Sequence, residues 1–70
     1  MTFNEFMLQI SVIRKSTHYL NWCRFVKNLE TDYPKIRFSL YGDERWVELY
    51  GSPQFKEVYN KIVKFKLSLS

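Results

Sequence analysis

The side chains best suited to covalent chemistry are the single histidine, His18, and the single cysteine, Cys23. They stand five positions apart. On one helix that spacing turns them roughly 140° away from each other, so they cannot form a local nucleophile–base pair. Cys23 reads as a core thiol and His18 as a solvent-facing residue of a first helical turn. One His and one Cys fall short of a usual zinc ligand set. Asp43 and Glu44 could meet a cation, but adjacent carboxylates in a turn read as ordinary solvated residues. Gly42 and Gly51 stand alone, so there is no phosphate-binding loop. The expectation is a protein without catalytic residues, cofactor or metal.

Binding chemistry is better represented. Trp46 and Tyr50 alternate with charged residues in Arg45-Trp46-Val47-Glu48-Leu49-Tyr50, and Tyr41 precedes them in Arg37-Phe38-Ser39-Leu40-Tyr41. Arg37, Lys64 and Lys66 supply cations. Rings of this kind stack on nucleic-acid bases and cations hold phosphates. Trp, Tyr and Arg also dominate protein–protein hot spots. The plain structural alternatives are that lysines on an edge strand block aggregation and that the rings are cross-strand partners in a hairpin.

These residues need elements to position them. Phe6–Arg14 reads as a strand, with Leu8, Ile10 and Val12 pointing one way and Gln9 and Ser11 the other. The competing element is a helix from Phe3, capped by Thr2 with Glu5 at the capping-box position. The β-branched run Ile-Ser-Val-Ile favours the strand. Ser16 or Thr17 then offers an N-cap, and Tyr19, Trp22, Cys23, Val26 and Leu29 form the apolar stripe of a helix. Asp32-Tyr33-Pro34 ends it.

Lys35–Tyr41 alternates as a strand, and Arg45–Tyr50 returns as the second arm of a hairpin with Val47 and Leu49 inward. Ser52 and Pro53 start a second helix, whose buried stripe is Phe55, Val58, Tyr59 and Ile62. Val63–Ser70 alternates again, Phe65, Leu67 and Leu69 against Lys64, Lys66 and Ser68. A helix continued through this segment would place Lys66 in the middle of its apolar face. The order strand, helix, strand, strand, helix, strand describes an α+β domain, a split βαβ sandwich with four antiparallel strands and two helices on one face. With right-handed crossovers the sheet order is 4-1-3-2. In element order the pattern resembles the ferredoxin-like superfold, which hosts many unrelated functions. The alternative is a helix–helix–hairpin–helix arrangement. In the sheet fold Trp22 and Phe38 both lie on inward faces and are expected to face each other across the helix–sheet layer.

The 70 residues read as a single domain. So short a chain buries only about 60% of its unfolded surface and needs a dense core. Thirteen residues are Phe, Tyr or Trp. A lone thiol fits a reducing compartment. No segment is long or apolar enough to span a membrane, and Glu5 stands where a signal peptide carries cations. A cytoplasmic location follows as an expectation. The net charge of +4, from 11 basic and 7 acidic residues, is a modest bias toward acidic partners.

In the predicted sheet order, the rings of Trp46 and Tyr50 lie on a central strand of an open face, with Tyr41 and Arg37 on one edge and Lys64 and Lys66 on the other. The RNA-recognition pattern is not met: Arg45–Tyr50 lacks its glycine, the first strand offers only Gln9 and Ser11, and Glu48 sits between the rings. The function expected is therefore a small non-enzymatic interaction protein, a regulator or inhibitor that docks on a larger protein or nucleoprotein assembly. In size and composition it resembles the accessory proteins of phages and plasmids. The alternatives are RNA or single-stranded DNA binding through the sheet face, and homodimerisation through that face.

Overall fold

Thr2 and Glu5 cap each other. The Thr2 hydroxyl accepts from the Glu5 amide at 3.2 Å, and the Thr2 amide donates to Glu5 Oε1 at 3.3 Å. This reciprocal pair starts a helix, and in the computed structural model, which describes residues 1–40 and 42–69, the first element is α1, Phe3–Arg14. It is followed by α2, Tyr19–Asp32, α3, Glu44–Tyr50, and α4, Phe55–Ser68. Among the described residues there is no strand.

The four-stranded ferredoxin-like sheet is thus overturned, and the helical alternative fits without its hairpin. The reason is visible segment by segment. In α1 the buried set is Phe6, Met7, Ile10 and Ile13, at helical spacing. Leu8 and Val12, the inward pair of the expected strand, are 65% and 61% exposed. Ile10 belongs to both patterns, so the same sequence fits period two and the helical period. The capping box and the packing of the Phe6 face outweigh the β preference of Ile-Ser-Val-Ile. Replacing Thr2 with Ala should remove that start signal at a cost of about 1 kcal/mol. A thermal melt will register it as a fall of roughly 4–8 °C for a domain of this size.

α2 carries the expected stripe, with Trp22, Val26 and Leu29 fully buried. Cys23 is only half-buried. The expected N-caps do not cap α2. Residue His18 takes that position without a side-chain bond, and the Ser16 hydroxyl instead accepts from the His18 amide at 3.1 Å. After α2 the backbone turns at Pro34 and continues through 37–39 without regular structure. The segment expected to pair with it, Arg45–Tyr50, is α3. There Trp46 and Leu49 are buried and Val47 faces solvent, so spacing three has replaced spacing two.

The last expected strand is the second half of α4. Val58 and Ile62 are its buried residues. The Lys66 conflict dissolves because Lys66 lies in the final turn and is exposed. A cation at a helix C-terminus also meets the negative end of the helix dipole favourably. Leu67, which the strand turned inward, is 68% exposed.

One apolar cluster joins the four helices. Its middle is aromatic. Trp46 stacks on Trp22 at 5.9 Å, and its ring meets Phe38 at 5.4 Å and Phe6 at 6.0 Å, both edge-on. Phe6 in turn meets Phe55 edge-on at 5.1 Å, tying α1 to α4. Trp22 and Phe38 are both buried, as expected, but Trp46 lies between them in place of a helix–sheet contact. No helix among the described residues is long and apolar enough to cross a membrane.

Candidate functional site

The residues singled out in the sequence for binding separate in space. Trp46 has no exposed surface, and its indole Nε1 donates to the Ser39 carbonyl at 2.8 Å. Tyr50 is half-buried, its hydroxyl donating to the Met1 carbonyl at 2.6 Å and its ring edge-on to Phe3 and Phe55. Neither ring forms part of an open face. Tyr41 lies outside the described residues. Arg37 is exposed and shares a groove with Glu30, Pro34, Ile36 and Arg45. Lys66 is exposed at the end of α4. Among the described residues there is no sheet face to unite these groups, so the base stacking and dimerisation expected on it lose that surface.

Lys64 borders an aromatic surface between two helices. Helices α2 and α4 meet through Phe25 and Phe65, whose rings stack at 4.6 Å with 19° between their planes. Behind them Trp22 packs on both, at 5.6 and 5.9 Å. Phe25 and Phe65 remain half-exposed, because the buried stripe of α2 is centred on Trp22 and Val26 and leaves Phe25 at its border. The result is a groove of about 360 Å³ with Phe25, Leu29 and Phe65 as its floor and Asn28, Asp32, Lys61 and Lys64 along its rim.

The two rim lysines differ. Lys61 donates to Asp32 Oδ2 at 3.3 Å and stands 5.3 Å above the Tyr33 ring. Its hydrogen bond to Asp32 raises its pKa above the ordinary lysine value. Nearby, the Tyr33 hydroxyl donates to Glu57 at 3.2 Å; partial burial, then this bond, raises the phenol pKa. Lys61 is therefore engaged within the chain. Lys64 has no ion-pair partner among the described residues.

Such a groove is open and shallow, with an apolar floor and one available cation. It suits an apolar side chain flanked by an acidic group. Among the described residues no three His, Cys, Asp or Glu side chains are grouped to hold a metal ion. His18 and Cys23 are both half-buried, and Cys23 borders a different groove with Val26, Lys27, Glu30 and Leu40. Sequence reasoning missed Phe25, which falls off the main stripe, and placed Phe65 inside a sheet core. The available signal was Phe25 three positions after Trp22, on the flank of the same stripe. No family model, curated protein or solved structure matches this chain.

Proposed function

We propose that this chain is a small non-enzymatic docking protein that holds an acidic segment with an apolar anchor, presented by a larger protein or nucleoprotein partner, in the groove between α2 and α4. The observation that carries the proposal is the half-exposed Phe25–Phe65 pair beside the unengaged Lys64. Apolar rings at the floor of a groove supply desolvation energy, and a rim cation selects an acidic ligand and speeds encounter. The net positive charge of the chain acts in the same direction.

The test uses a double substitution at exposed rim positions, Asn28→Glu with Lys64→Glu. Neither side chain belongs to the core, so the melting temperature should move by less than about 4 °C. Capture of the partner from the native host should fall at least about tenfold, by loss of attraction and gain of repulsion. Unchanged capture would place the docking surface elsewhere. Capture that vanishes on nuclease treatment, with affinity falling steeply as salt rises, would assign direct nucleic-acid binding instead.

A further inference from the structure

We propose that the outward face of α1 is a self-association surface on which a second copy of the chain lies antiparallel, Leu8 against Val12 of the partner subunit and Glu5 against Lys15 of the partner subunit. This surface is separate from the α2–α4 groove and does not depend on the function proposed for that groove.

Helix α1 is apolar on two faces. One buries Phe6, Met7, Ile10 and Ile13. The other carries Leu8 and Val12, 65% and 61% exposed. Along the outward face, Glu5, Leu8, Val12 and Lys15 follow at spacings of three, four and three, the seam spacing of paired helices. Lys15 is the C-cap of α1 and keeps a near-helical backbone, with φ −90° and ψ −2°, so the seam runs the full length of the element.

The pattern is also symmetric, and that identifies the occupant. Leu8 and Val12 stand two positions either side of Ile10, and Glu5 and Lys15 stand five either side. Turning a second α1 end for end about that midpoint sets Leu8 opposite Val12 twice and Glu5 opposite Lys15 twice. This is the self-complementarity a two-fold interface requires. A parallel pair would instead oppose Glu5 to Glu5 and Lys15 to Lys15. The charges therefore select the antiparallel copy. Both ionic groups are available: Lys15 is exposed with no partner among the described residues, and Glu5 uses only Oε1 in the capping box. Hydrogen bonds from Thr2, backbone first, hold the Glu5 carboxyl below its ordinary pKa, which keeps it anionic at neutral pH. A seam of one short helix on its copy is a small contact, of the class that associates weakly and reversibly.

Sedimentation equilibrium of the full chain from micromolar to millimolar concentration tests this. The expected result is a reversible monomer–dimer equilibrium based on the 8.6 kDa chain. Lys15→Glu, which faces Glu5 with a like charge at both ends, should weaken the dimer by about tenfold or more. Glu5→Gln, which keeps the capping box, should weaken it less. Leu8→Asp should leave circular dichroism unchanged, because Leu8 points away from the core, and should abolish the dimer. A chain that stays monomeric at every concentration overturns the proposal. So does a dimer indifferent to Leu8→Asp. A dimer lost with Leu8→Asp but untouched by Lys15→Glu overturns the antiparallel register.

Discussion

Replacing Trp46 with Ala will unfold most of the chain. The indole has no exposed surface and touches rings from α1, α2 and the 36–40 segment at once. Removing a buried Trp side chain costs about 3–5 kcal/mol, and a domain this small holds a reserve of similar size. Two milder substitutions separate the ring from its N–H group. Trp46 Nε1 donates to the Ser39 carbonyl, whereas Trp22 Nε1 is buried without a hydrogen-bond partner among the described residues. Trp46→Phe removes a bond; Trp22→Phe relieves an unsatisfied donor. The first should therefore cost roughly 1 kcal/mol more than the second. Urea unfolding midpoints at constant slope will read the difference. A folded, stable Trp46→Ala protein would mean that Trp46 is on the surface after all.

Replacing Arg14 with Met will cost on the order of 2 kcal/mol and loosen the approach to α3. The Arg14 side chain is 13% exposed. Its Nη2 donates to the carbonyls of Ser39 and Gly42, both at 3.1 Å, and its Nη1 stands 3.6 Å from Asp43. The end of α1 is thereby fastened to the residues that lead into α3. Asp43 is 61% exposed, so the ion pair contributes little. The carbonyls carry most of the effect, because a charged donor to a partly buried carbonyl is among the stronger hydrogen bonds. Met retains an apolar stem, so packing is largely kept. Amide exchange should speed selectively in Glu44–Tyr50 while the centre of α2 stays protected. Equal stability of the two proteins would show that the clasp contributes nothing.

α2 and the first half of α4 were legible in the sequence because their apolar spacing has only one solution. Trp22, Val26 and Leu29 fit a helix and no strand. The other segments are ambiguous in a specific way. In Met7–Ile13 and Arg45–Tyr50 apolar residues are dense enough that periods of two and of 3.6 both find an inward set. In Arg45–Tyr50 the deciding fact is that Trp46 packs on Trp22, a contact between residues 24 positions apart in the chain. No local pattern encodes it. In α1 a local signal existed, the Thr2–Glu5 capping box, and it outweighed the β-branched run. In α4 the obstacle was Lys66, which would be costly inside an apolar face in mid-helix and is harmless in an exposed last turn. The candidate site followed the fold. Lys64 is exposed beside the α2–α4 groove, while in the helical segment Trp46 is fully buried and Tyr50 half-buried.

Glu44–Tyr50 is a helix that buries Trp46, and among the described residues no strand precedes it. Backbone NMR of the full chain tests this most directly. The expected result is downfield Cα shifts and sequential amide–amide contacts through Glu44–Tyr50, with Trp46 ring protons close to those of Trp22. Upfield Cα shifts there, with cross-strand contacts between residues 35–40 and 45–50, would contradict it.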